Sequence, residues 1–173
     1  SQLPPDETPG LDVTVTYEPP PITHSNATHL ACVRVDPETG HVIVLRYIVV
    51  EDCGTIINPL IVDGQIQGGV AQGIGSALYE EAVYDDNGQF LTGTFMDYLI
   101  PTAMDVPVVE IGHIETPSPY TLNGVKGMGE GGAIAPPAAI ANAVADALSP
   151  FDARVNRIPL TPERVWRALQ EKE

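Results

Sequence analysis

Two runs of β-branched and apolar residues, 29 to 35 and 41 to 51, flank the pentapeptide Asp36 to Gly40. A short Asp, Pro and Gly turn between two such runs predicts a β-hairpin. Pairing is expected to stop within EDCGTIINP, residues 51 to 59, at Gly54 and Pro59. From Asp63 to Tyr84 the apolar residues Ile66, Val70, Ile74, Ala77 and Leu78 recur at helical spacing, interrupted by Gly68, Gly69, Gly73 and Gly75. Interior glycines each cost a helix about 1 kcal/mol against alanine, so four cost roughly 4 kcal/mol. Such a helix needs another backbone or a large ligand lying against it. A second hairpin is expected in AVYDDNGQFLTGTF, where Asn87 and Gly88 suit a type I′ turn and Asp85 and Asp86 serve it. A strand is expected over 106 to 115 and an apolar helix over Pro136 to Leu148. A C-terminal helix over 162 to 173 is signalled by Thr161 as N-cap and Pro162, with Val165, Trp166 and Leu169 on one face. Residues 1 to 28 read as an extended, linker-like lead-in, with one possible strand in LDVTVTY. The predicted class is α+β: hairpins and strands, a Gly-rich buried helix and two C-terminal helices.

Composition narrows the function classes. A length of 173 residues favours one domain, and 17 prolines with 16 glycines favour long ordered loops. A net charge of −15 with only eight Lys and Arg leaves no basic patch for phosphates, so no nucleic-acid partner is expected. Cys32 and Cys53 form no CxxC pair, so no metal ligands are expected, and both read as structural, Cys32 as a small buried hydrophobe. His24, His29, His41 and His113 have no carboxylate at helical spacing, and Glu80 with Glu81 reads as a solvated helix end. No apolar run approaches a membrane span, and the expected setting is reducing and cytoplasmic. No methionine stands first, which suggests a beginning inside something larger.

The candidate chemistry lies in GVKGMGEGG, residues 124 to 132, where Glu130 sits among five glycines beside Lys126. A backbone so bare can approach a bound group closely and aim N–H groups at it. With an apolar helix following, one side of the loop is expected to be dry, which would raise the proton affinity of Glu130 and suit it as a base. The competing reading is a glutamate that merely favours a helix dipole. The Gly-rich helix offers a second surface: its start is expected near Gln65 and Gln67, whose amides would flank free N–H groups. Tight packing on a neighbouring helix explains the same glycines equally well.

Together, DCGTIINPLIVDGQIQGGVAQGIGSALYEE (52 to 81), TGTFMDYLIP (92 to 101), TPSPYTLNGVKGMGEGGAIAPPAAIANAVADAL (116 to 148) and the closing PLTPERVWRAL resemble the molybdenum hydroxylases. That family comprises the large subunits of xanthine dehydrogenases, aldehyde oxidoreductases and carbon monoxide dehydrogenases. The resemblance implies that residues 1 to 173 are the C-terminal portion of a molybdopterin-binding domain. It implies that Glu130 is the base beside molybdenum and that Gly64 and Gln65 of the DGQ stretch contact the pterin. The backbone of Lys126, Gly127, Met128 and Gly129 would lie along the cofactor, a molybdopterin dinucleotide of the cytosine form, and its dithiolene would hold the metal without a protein ligand. Water would supply oxygen to the carbon of a small-molecule substrate, and electrons would leave through [2Fe-2S] clusters and FAD.

The implied partners are the remaining N-terminal portion of the large subunit, an iron–sulfur subunit and an FAD subunit. Two features depart from the family: the chain is several times shorter than its large subunits, and Gly131 and Gly132 stand where the xanthine dehydrogenase branch has prolines. Two other classes compete: a non-catalytic assembly piece that keeps the fold without molybdenum, and a module whose Gly-rich helix cradles another phosphate ligand.

Overall fold

The computed structural model describes residues 10–19 and 23–171. The predicted hairpin is present: β1 (Asn26–Val35) pairs antiparallel with β2 (Val42–Asp52). β1 therefore begins three residues inside the segment expected to be lead-in, whereas residues 11 to 17 form no strand and expose Leu11, Val13, Val15 and Tyr17. That segment finds no neighbouring strand to satisfy its backbone groups, so alternation alone did not make it one.

β2 carries the fold's main irregularity. Cys32 faces Arg46 but Val33 faces Val44, so Leu45 is an extra residue that switches which side chains point inward. Val42 and Val44 are buried before the bulge, and Tyr47, Val49 and Glu51 after it. Cys32, expected inside, is exposed. β3 (Val109–His113) adds parallel to β2, giving the order β1-β2-β3.

α1 (Pro59–Leu78) starts four residues before the predicted Asp63 and ends at Leu78. Asn58 caps it by accepting from the Ile61 N–H, and Pro59 sits at its first turn, where a missing N–H costs nothing. Its buried stripe of Val62, Ile66, Val70, Ile74 and Ala77 shares one core with β2 and packs on α3 (Pro136–Leu148), which buries Ile140, Val144 and Leu148. Between them lies one turn of helix, α2 (Gly131–Ile134). α4 (Pro162–Gln170) is capped by Thr161 as predicted and buries Val165, while Trp166 is exposed. Arg164 of α4 reaches Glu81 at 2.5 Å, and Tyr98 donates to Glu80 at 2.7 Å, so the expected solvated pair ties three segments together. The second hairpin shrinks to one bridge, Tyr84 to Phe90. Asp85 accepts from the N–H groups of Asn87 and Gln89, and only Gly88 takes positive φ, so a side-chain cap replaces the type I′ turn.

The glycines of α1 divide by what stands beside them. A Cβ at Gly69 would lie 2.5 Å from the carbonyl carbon of Gly132, and one at Gly73 2.5 Å from Pro136 Cβ. Those two glycines admit α2 and α3, and Gly132 returns the arrangement, its Cβ position being 2.6 Å from the Ile66 carbonyl oxygen. Beside Gly68 there is no atom within 4 Å. Gly69→Ala should therefore destabilise the protein by about 1–3 kcal/mol through overpacking. Gly68→Ala should stabilise the fold by up to about 1 kcal/mol through helix propensity. Denaturant unfolding of the two variants checks the difference, and equal midpoints would contradict this reading of α1.

Candidate functional site

The Gly-rich loop is fastened to the end of β2. Gly54 bridges Val125, the Lys126 N–H donates to the Cys53 carbonyl at 2.9 Å, and the Thr55 N–H donates to the Gly124 carbonyl at 3.2 Å. Gly54 and Gly124 both have positive φ, and a Cβ on Gly54 would strike the Gly124 carbonyl oxygen, so this pairing requires glycine. Beneath it the Asp52 carboxylate accepts from the Gly54 N–H at 2.9 Å, the Thr116 N–H at 3.1 Å and Lys126 Nζ at 3.1 Å. Hydrogen bonds from Thr116, then Gly54 and Lys126, hold its carboxyl well below the usual carboxylate range. The Lys126 ammonium is thus spent inside the fold, as is its backbone N–H on the Cys53 carbonyl.

A second fastening joins the loop to α1. Gln65 Nε2 donates to the Gly129 carbonyl at 2.9 Å, so two residues singled out separately in the sequence meet. Because α1 starts at Pro59, Gln65 and Gln67 lie in its second and third turns and not beside its free N–H groups. Met128 is half-buried against the core, while Gly64, Gly68, Gly127 and Gly129 are exposed. No atom lies within 4 Å of a Cβ placed at Gly64, Gly68 or Gly127, and at Gly129 the one neighbour is Gln65 Nε2 at 3.9 Å. These four glycines leave a bare cradle on either side of the Gln65–Gly129 link.

Glu130 follows at once, as the N-cap residue of α2, and its side chain caps nothing. It is exposed, so the dry surroundings expected for it are not supplied by the described residues. The buried carboxyl is Glu51, 1% exposed, with neither oxygen hydrogen-bonded among the described residues. Burial, then the neighbouring Asp52, pushes its carboxyl up, and His113 opposes this weakly. Sequence reasoning passed over Glu51 and Asp52 as strand-end residues; adjacent acids closing an apolar strand were the available signal. His113, expected without a carboxylate, pairs with Asp63 at 2.8 Å across 50 positions. Among the described residues no group of three His, Cys, Asp or Glu side chains could hold a metal ion. A surface cavity lined by Ala145 and residues 149–156 contains none of the site residues expected from the sequence.

The family model described as molybdopterin cofactor-binding domain matches residues 5–107. The chain belongs to that family. Its members share this fold: quinoline 2-oxidoreductase from Pseudomonas putida 86 superposes with a TM-score of 0.84 at 52% identity, over 86% of this chain and 19% of that one. Reconstituted CO dehydrogenase from Oligotropha carboxidovorans gives 0.88 at 34%, over 96% of this chain and 21% of that one. The nicotine 6-hydroxylase large subunit of Paenarthrobacter nicotinovorans is 53% identical over 163 residues, 94% of this chain and 20% of its own length. The chain thus spans about a fifth of the length of the curated relatives it matches. The family resemblance and the α+β class read from the sequence both hold. The matched span includes Gly64 and Gln65 and ends before the Glu130 loop.

Within this molybdopterin-binding fold the Asp52 clamp has a defined pH signature. A carboxyl whose folded proton affinity is depressed adds stability that is present above its unfolded pKa and is lost as pH falls through that value toward the folded one. Asp52→Asn should therefore lower Tm at neutral pH, and the deficit should stay level down to about pH 5 and shrink below about pH 4. Thermal scans across that range check it; a deficit independent of pH would remove Asp52 from the role.

Proposed function

We propose that this chain is the C-terminal portion of the molybdopterin-binding domain of a molybdenum-dependent hydroxylase, forming one wall of the cofactor pocket and supplying the base, Glu130. The observation that carries the reading is the cradle: four glycines with open space beside them, grouped around the Gln65–Gly129 link and one residue from an exposed carboxylate. Side chains there would fill the room that a flat ring system and a diphosphate need. The residues present fit the group. Backbone N–H groups of Gly127, Met128 and Gly129 suit its anionic and ring-edge atoms, while Gly64 and Lys126, whose N–H groups are bonded within α1 and to the Cys53 carbonyl, would line it without donating. Gln65 gives one amide N–H to Gly129 and offers its carbonyl oxygen to a pterin N–H.

When bound, the molybdenum pterin, here assigned the cytosine dinucleotide form, supplies the two-electron chemistry that oxidises a substrate carbon with water as oxygen source. Glu130 contributes the proton acceptor, held at the pocket rim by α2 behind it and the Gln65 link before it. The remaining N-terminal portion of the large subunit would close the pocket over Glu130 and make it dry. Iron–sulfur and FAD subunits would take the electrons, as the multi-subunit nature of the related 6-hydroxypseudooxynicotine dehydrogenase complex supports. The relatives named for nicotine and quinoline, both above 50% identity, support an N-heteroaromatic substrate. No helix among the described residues is long and apolar enough to cross a membrane; a cytoplasmic setting suits this complex.

Glu130→Gln in the assembled enzyme should reduce turnover by more than about a thousandfold while molybdenum and pterin contents stay at wild-type levels. Activity within about tenfold of wild type would reject Glu130 as the base. Absence of molybdenum and pterin from the wild-type complex would favour the non-catalytic assembly role instead.

A further inference from the structure

Glu51 is the least explained group in the molecule. It closes β2, is 1% exposed, and neither carboxyl oxygen has a hydrogen-bond partner among the described residues. Burying a carboxyl without partners is unfavourable, and an apolar side chain of similar size would fill the space more cheaply. What the carboxyl touches is specific: a Cβ on Gly131 would lie 2.8 Å from Oε1 and 3.1 Å from Oε2. Gly131 is the residue after Glu130 and the first of α2. Its φ lies outside the left-handed region, so it is glycine for want of room, and the room is taken by Glu51.

We propose that Glu51 is a positioning residue for Glu130: its carboxyl seats the Gly131 backbone from which the base projects, and the seat holds while that carboxyl carries no charge. The inference rests on the reading of Glu130 as the base. The charged groups around Glu51 agree with an uncharged state. Asp52 adjoins it on β2 and is ionised; His113 on β3 is engaged by Asp63 of α1; Lys126 of the loop is engaged by Asp52; and Glu130 is itself acidic. Among the described residues no cation is left to pair with Glu51 in its ionised form. A carboxyl whose folded proton affinity is raised contributes stability that is full below its unfolded pKa and is lost as pH rises toward the folded value. An uncharged seat also places no second negative charge beneath the base.

Three variants of the assembled enzyme test this. Glu51→Gln is uncharged at every pH and nearly the same shape, so it should keep cofactor content and turnover within about threefold of wild type near neutrality. Its Tm advantage over wild type should widen by about 2 °C or more between about pH 5.5 and 8.5. Glu51→Leu, which fills the space with a different shape, should lower kcat by about tenfold or more at unchanged cofactor content. Should Glu51→Gln fail to assemble, Gly131→Ala probes the same contact from the other side and should lower kcat to a similar extent. A pH-independent Tm difference, full activity in Glu51→Leu, or full activity in Gly131→Ala where that variant is the probe, overturns the proposal. If instead Glu130→Gln is active while Glu51→Gln shows the pH-dependent Tm gain, the buried uncharged carboxyl stands and the assignment of the base falls.

Discussion

The site depends on two backbones meeting with no side chain between them. Where α1 crosses α2, Gly69 and Gly132 place main-chain atoms in direct contact, with Ile66 and Gln65 carbonyl oxygens beneath Gly132. That approach sets the height of the loop over the helix. It places the Gly129 carbonyl within reach of Gln65, sets Gly131 on Glu51, and brings Pro136 against Gly73 so that α3 can pack. The helix-propensity cost of these glycines is offset by the burial of Ile66, Val70, Ile74, Ile140 and Val144 that the close packing permits.

The two acids that end β2 show how one strand produces opposite electrostatic states. Successive strand residues point to opposite faces, so Asp52 reaches the fastened loop and its three donors, while Glu51 points under α2 where there are none. One carboxyl is held ionised and binds the loop through charge-assisted hydrogen bonds. The other is pushed toward its uncharged form by burial and by its neighbour. Neighbouring carboxyls with divergent environments mark sites where proton affinity is set by structure. The net charge of −15 has little part in this, because the effective interactions are short-ranged and buried.

Legibility in the sequence followed the range of the interactions involved. The first hairpin, the helix from Pro136 to Leu148 and the Thr161 cap were readable because each is decided by residues within a few positions of one another. The early start of α1 was missed because Pro59 read as a strand stop, although Asn before Pro is equally an N-cap signal. The bulge at Leu45, the Gln65 link, the Asp52 clamp and the His113 pair depend on partners tens of residues away, so no local pattern announced them. The cofactor assignments came from the order and spacing of the resembling stretches; periodicity alone left the glycines of α1 open between packing and binding.

That ambiguity resolves as packing for two of the glycines and leaves two others bare. Residues 69 and 73 are glycine because another part of this chain occupies the space, whereas 64 and 68 are glycine with nothing of this chain beside them. Since a glycine in a helix interior is unfavourable unless something needs the room, the second pair calls for an occupant that the first pair does not. Gly64 and Gly68 lie one helical turn apart on α1, and the Gln65–Gly129 hydrogen bond ties that helix to the loop whose Gly127 and Gly129 are likewise bare. Four glycines contributed by two separate segments are thus bare on their exposed side. The close contact of Gly69 with Gly132 keeps those segments at a fixed separation, so the packing glycines of α1 hold open the space that its other glycines leave bare.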